Sequence, residues 1–313
     1  MKYRLIFCCM ILTASCMIPY SNIKPLQSLS ELDYPYEVKH QALNNDINLA
    51  YIDEGSGDQT ILFIHGLGSY LPAWKKNVET LKGRYRCIAV DLPGYGQSSK
   101  KPHSGMMEFY ADVMAELIDK LALKNVVIAG HSMGGQIGMT MALKYPDKVQ
   151  KLVLIDPAGF ERFTEGEKQW FREVMTVKFV KETPPQQIRA NLMANFYNTP
   201  DDAEFMITDR IAMRTASDFE HYCYAVTRSV HGMVDQPVVD LLDKIEQPTL
   251  ILFGENDNLI PNPYLHGGKT ADIAAIGKAK IKNSQLVMIP QCGHFAQFEK
   301  AEAVNQAVRD FLK

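Results

Sequence analysis

Cysteine is scarce and irregularly placed. Six occur in 313 residues, and three of them (Cys8, Cys9 and Cys16) crowd into the first sixteen. Cys87, Cys223 and Cys292 lie far apart, fit no disulfide framework or paired C-x-x-C site, and read as buried thiols. Excess charge of one sign is missing too. Against 33 Lys and Arg stand 36 Asp and Glu, a formal net charge of −3, with no basic block to give an electrostatic footprint for nucleic acid. Past the N-terminus no apolar run is long enough to span a bilayer. Internal repeats and low-complexity tracts are absent. So are H-E-x-x-H, a P-loop and a dinucleotide fingerprint, and neither a metal nor a nucleotide cofactor is implied.

The N-terminus differs from the rest. Lys2 and Arg4 precede an uncharged apolar run from Leu5 to Ala14, the n-region and h-region of a secretory signal. Small residues then lead to Cys16, in the order Leu12-Thr13-Ala14-Ser15-Cys16, which resembles a bacterial lipobox. The expectation is a signal over residues 1–16 with Cys16 as the lipidated residue; an ordinary cleaved signal and an uncleaved anchor are the alternatives. Each exports the chain or holds it at a membrane, so membrane association through the N-terminus is expected, or a periplasmic or secreted protein. Residues 17–33, with Pro19, Pro25 and several serines, read as a tether.

From Pro35 the pattern is that of an α/β domain. Pro35 to Leu43 and Asn48 to Asp53 read as an antiparallel pair turning at Asn44-Asn45-Asp46. Apolar strands follow at Thr60–Ile64, Tyr85–Val90, Val126–Ala129, Leu152–Asp156, Thr249–Gly254 and Gln285–Ile289, with helices expected at about 73–81, 106–121, 136–145 and 301–312. Alternating apolar strands and helices predict a mostly parallel sheet flanked by helices. Between residues 158 and 235 the strand signal stops and helical spacing takes over. The expected domains are thus a core of residues 34–157 and 236–313 with an inserted helical cap, 158–235.

Chemistry gathers where strands end. Strand Val126–Ala129 runs into Gly130-His131-Ser132-Met133-Gly134 and then a helix, the strand–turn–helix setting of a G-x-S-x-G nucleophile elbow. A serine needs a base, and the base an orienting carboxylate. Asp257, in Gly254-Glu255-Asn256-Asp257, and His294, in Cys292-Gly293-His294, each follow a strand and complete the order Ser132, Asp257, His294. Asp156 also ends a strand and is the rival acid, placed by expectation near the cap entrance. An oxyanion formed on attack needs backbone N–H donors. Met133, after the nucleophile, and Leu67, in His65-Gly66-Leu67-Gly68, are the candidates.

Those four segments, with Asp91-Leu92-Pro93-Gly94-Tyr95-Gly96-Gln97-Ser98, resemble the α/β-hydrolase group of serine esterases that includes monoacylglycerol lipases and ring-cleavage-product hydrolases. The resemblance runs from about Tyr36 to Lys313. It implies an α/β-hydrolase fold, a Ser-His-Asp triad, an acyl-enzyme and no cofactor. An ester with an apolar acyl chain or a small lipid is the expected substrate. Hydrolysis of a C–C bond in a ring-cleavage product, cofactor-free haloperoxidase or perhydrolase chemistry, and ligand binding without turnover are the alternatives. Serine at the elbow departs from the dehalogenases and epoxide hydrolases of this fold, which place aspartate there. Aromatic residues and methionines are frequent between Phe160 and Met233; most of them are expected to form the cap's own core, and the rest suit an acyl pocket. The stretch from Tyr264 to Asn283 is longer than the group usually has and has no functional reading from sequence.

Overall fold

The structure, a computed structural model, describes residues 20–313. The signal and Cys16 lie outside the described residues. Among these residues an eight-stranded sheet runs in the order β1-β2-β4-β3-β5-β6-β7-β8. Its strands are β1 (Lys39–Leu43), β2 (Ile47–Glu54), β3 (Thr60–Ile64), β4 (Arg86–Val90), β5 (Val126–His131), β6 (Lys151–Ile155), β7 (Thr249–Gly254) and β8 (Ser284–Ile289). β1 and β2 pair antiparallel, and β2 joins β4 antiparallel. The pairs from β4 through β3, β5, β6 and β7 to β8 are parallel.

The helices are α1 (Lys75–Leu81), α2 (Met107–Lys120), α3 (Met133–Lys144), α4 (Glu165–Val174), α5 (Val177–Glu182), α6 (Pro185–Met193), α7 (Glu204–Met213), α8 (Phe219–Asp235), α9 (Thr270–Lys280), α10 (Ala296–Glu299) and α11 (Ala301–Leu312). Successive strand residues point to opposite faces, and so the continuous apolar runs feed two cores. Leu62, Ile64, Ile128 and Leu154 pack with Met114, Ile137 and Ala274 of α2, α3 and α9. Ile61, Phe63, Val127 and Ile155 pack with Val78 of α1 and Val304 and Val308 of α11.

α4 to α8 fill the chain between β6 and β7, where the sequence lost its strand signal. Cys87, Cys223 and Cys292 are buried free thiols. β1 begins at Lys39 rather than Pro35; proline has no N–H to give a ladder. Among the described residues no helix is long and apolar enough to cross a membrane.

The tether reading of 17–33 needs correction over its described part. Leu26, Leu29 and Leu32 are buried, Leu29 completely. The Leu26 N–H donates to Thr215 Oγ1 at 2.8 Å and the Leu29 N–H to Asp218 Oδ1 at 3.0 Å, both partners in the turn between α7 and α8. Gln97 Nε2 donates to the Leu32 carbonyl at 2.8 Å on the core side. A leucine every third residue gave the segment an apolar face, and the cap and core cover it. It is a strap.

Candidate active site

Five loops at the C-terminal ends of β3, β5, β6, β7 and β8 converge on one edge of the sheet, where ligands of parallel sheets bind. α3 begins at Met133, three residues earlier than the sequence spacing suggested, so the chain turns from strand to helix on Ser132 alone. Ser132 is held at φ 52°, ψ −118°, a conformation L-residues avoid. The flanking glycines permit this turn. A Cβ at Gly130 would stand 2.3 Å from the Gly134 carbonyl oxygen, and one at Gly134 2.1 Å from that of Ile64. The Ser132 carbonyl accepts from the N–H groups of Gly135 (2.9 Å) and Ala158 (3.0 Å), and its own N–H donates to Ile155 O (3.0 Å), which locks the apex.

His294 and Asp257 meet as expected of a base and its orienting acid. Nδ1 of His294 lies 2.8 Å from Asp257 Oδ2. Asp257 Oδ1 accepts the N–H groups of Leu259 at 2.7 Å and Ile260 at 3.2 Å. With its acceptors engaged, Asp257 presents a carboxylate to Nδ1 and leaves Nε2 as the ring's free edge. Ser132, His294 and Leu67 line one cavity of about 370 Å³, walled by Phe163, Phe171, Met175 and Met233 of the cap side.

The β3 loop is oriented by a buried histidine. The Leu92 N–H donates to His65 Nε2 at 3.0 Å, which leaves the proton on Nδ1 to donate to the Gly66 carbonyl at 2.8 Å. That bond fixes the Gly66–Leu67 peptide, whose Leu67 N–H has no hydrogen-bond partner among the described residues. Burial holds the His65 imidazole below its ordinary value, opposed by the Asp91 charge, so it stays neutral. Met133 is the first residue of α3 and its N–H has no acceptor one turn back. The two candidate oxyanion donors are thus backbone groups on fixed elements.

Three features were not legible in the sequence. Asp156 is not near the cap entrance: it is fully buried, and its carboxylate shares a cluster with Asp257 and His294 whose closest ligand-capable atoms lie within 4.8 Å of one another. Glu299 ties the His294 loop to the cap: its carboxylate accepts the N–H groups of Gly293 (2.8 Å), Tyr197 (3.1 Å) and Asn198 (2.6 Å). The unexplained stretch after Tyr264 braces the other side of the cavity. His266 Nδ1 lies 2.7 Å from Glu161 Oε1, its ring stacks on Phe163 at 5.0 Å, and Glu161 and Tyr264 line the cavity.

A second cavity of about 280 Å³ adjoins the first and shares Leu67, Met175, Asn195 and Phe295 with it. Arg210 of α7 lines it. Its guanidinium lies 4.8 Å over the Tyr222 ring, its Nε is buried without a partner, and it has no ion pair among the described residues.

Comparison with known proteins agrees with this geometry. Residues 59–301 match the α/β hydrolase fold family, and the chain belongs to that family. It is 28% identical over 296 residues, 92% of this chain and 99% of the relative, to a 2-hydroxy-6-oxononadienedioate/2-hydroxy-6-oxononatrienedioate hydrolase of Pseudomonas putida. The structure of a probable hydrolytic enzyme from Pseudomonas aeruginosa is similar at 26% identity and a TM-score of 0.82, covering 92% of this chain and 99% of that one. A thermophilic esterase from Thermogutta terrifontis follows at 28% identity and a TM-score of 0.70, over 88% and 98% of the two chains. The protein is a hydrolase of this fold.

Proposed function

We propose that the protein hydrolyses carboxylic esters through an acyl-enzyme on Ser132. The observation that carries the reading is one cavity holding a strained elbow serine, an imidazole fixed by a carboxylate at 2.8 Å, and an unpartnered Leu67 N–H. His294 takes the Ser132 proton through Nε2 as Oγ attacks the carbonyl, while Asp257 holds the ring in the required tautomer and stabilises the imidazolium. The oxyanion is received by the N–H groups of Leu67 and Met133, the latter at the positive end of α3. His294 returns the proton to the leaving alkoxide. Water then repeats the sequence on the acyl-enzyme.

The walls suit an apolar acyl chain of medium length, and monoacylglycerols fit the same chemistry. Export and anchoring through Cys16 belong to this proposal, supported by the charged and apolar order of residues 2–14. Mass spectrometry of the mature N-terminus tests them.

Arg210 favours a second reading. An unpaired guanidinium one loop away from the oxyanion donors is suited to a substrate carboxylate. The Pseudomonas putida relative is named for cleaving a dioate, and C–C hydrolysis of an acid-bearing ring-cleavage product uses the same serine, base and oxyanion donors. A panel of p-nitrophenyl esters from acetyl to palmitoyl, run beside an acid-bearing ring-cleavage product, separates the two. Ester turnover with an optimum at medium chain length supports the first. Turnover of the acid alone, reduced tenfold or more in Arg210→Gln, replaces it with the second.

A further inference from the structure

Asp156 follows β6 directly, at φ 43°, a left-handed conformation uncommon outside glycine and asparagine. It is fully buried. Its Oδ1 accepts the Gly254 N–H at 2.7 Å, and Oδ2 has no hydrogen-bond partner among the described residues. The groups that face it are Asp257 from the β7 loop, His294 and Cys292 from the β8 loop, and Glu299 and the Ala296 N–H from α10. No lysine or arginine is among them.

We propose that Asp156 is a positioning residue for the Ser132–His294–Asp257 triad and its reserve acid. The inference rests on the reading of Asp257 as the triad acid. Two carboxyls in one buried cluster do not both ionise. Asp257 accepts three hydrogen bonds, from Leu259, Ile260 and His294, whereas Asp156 accepts the Gly254 N–H and is approached more weakly by the Ala296 N–H at the start of α10. The charge therefore belongs on Asp257 and the proton on Asp156. Burial, and then the Asp257 charge, push the Asp156 carboxyl well above the ordinary carboxylate range, in agreement with that division.

Two consequences follow. As a neutral acid, Asp156 pins the Gly254 N–H at the end of β7, three residues before Asp257, without competing for the His294 ring. When the Asp257 carboxylate is removed, the repulsion that keeps Asp156 protonated goes with it. Asp156 then releases its proton to solvent, and its unpartnered Oδ2 becomes the carboxylate nearest the imidazolium that forms on His294.

A double-mutant cycle on kcat for the best ester tests this, with near-ultraviolet circular dichroism to show that each variant is folded. Asp156→Asn alone should lower kcat about threefold with KM unchanged. On the Asp257→Ala background the same change should cost at least tenfold more than it does alone. Equal factors on the two backgrounds would overturn the reserve role. Thermal unfolding of Asp156→Asn supplies a check that needs no second substitution. A raised carboxyl costs stability as pH climbs above its unfolded value of about 4, because the unfolded chain ionises first. Asp156→Asn should therefore melt higher than wild type at pH 8, with the gain vanishing near pH 4. A lower melting temperature at pH 8 would show that Asp156 is an ionised acceptor and overturn the assignment. Asp257→Ala with unchanged kcat would instead sink the triad reading, and this inference with it.

Discussion

His131, the residue before the elbow serine, donates its Nε2–H to the carbonyl oxygen of His294 at 2.8 Å. The loops that carry Ser132 and His294 are therefore joined directly by a buried hydrogen bond. Burial first, and then the neighbouring His294, hold the His131 ring well below its ordinary value, so it acts as a fixed neutral donor.

Removing that donor should loosen the base. His131→Ala is expected to lower kcat by about tenfold, in the range where small misplacement of a catalytic group matters, with little change in KM. The acid limb of the pH–rate profile should keep its midpoint, since His131 does not titrate there. A profile shifted by half a pH unit or more would show that His131 contributes charge rather than position.

Glu299 of α10 does the corresponding work between the core and the cap. Three backbone N–H groups, of Gly293, Tyr197 and Asn198, end on its carboxylate. Glu299→Ala leaves all three without that acceptor, and a loss of about 2 kcal/mol in stability is expected. Hydrogen exchange should rise at Tyr197 and Asn198 before it rises in the sheet. Uniform exchange across the chain would contradict a local brace.

The strap before β1 should be a stabilising element. Leu29 is fully buried against the cap and core. Leu29→Ala is expected to cost about 2–4 kcal/mol in denaturant unfolding. A change below 0.5 kcal/mol would return the segment to the role of a free tether.

A pH dependence of stability is built into His103. Its Nε2–H donates to Pro93 O at 3.0 Å, its Nδ1 accepts the Gly105 N–H at 3.1 Å, and its ring stacks on Phe109 at 4.7 Å. Burial lowers it from 6.5 to about 4. The folded chain thus binds fewer protons than the unfolded one between those values, and stability falls as pH drops through that window. The loss should reach about 3 kcal/mol in wild type and be largely absent in His103→Gln. Asp156 acts with the opposite sign, and this variant leaves it untouched. Equal slopes in the two proteins would contradict the neutral His103.

Much of the sheet was legible because each parallel strand is a short apolar run with a turn at its end. Thr249–Gly254 and Ala301–Leu312 were delimited to the residue. The start of α3 was misplaced because Gly134-Gly135 reads as punctuation, whereas here the missing side chains let the helix pack on the end of β3 at Ile64 and on Pro157. Ser132, Asp257 and His294 could be named as candidates from strand ends and chain order alone. Asp156 could not be placed, since a strand end says which edge a residue joins and not whether it faces the cap or the triad. The Glu161–His266 and Glu299–Tyr197 contacts span about a hundred residues and leave no local pattern. Nor does sequence show that Arg210 lacks a partner.

The most direct test of the account is the turnover of p-nitrophenyl butyrate by wild type and by Ser132→Ala, with intact-protein mass spectrometry after fluorophosphonate treatment. The account predicts ester turnover in wild type, a fall of about 10⁴-fold or more in the variant, and a single phosphonyl adduct that the variant lacks. Turnover in Ser132→Ala within tenfold of wild type, or an adduct on another residue, would contradict it.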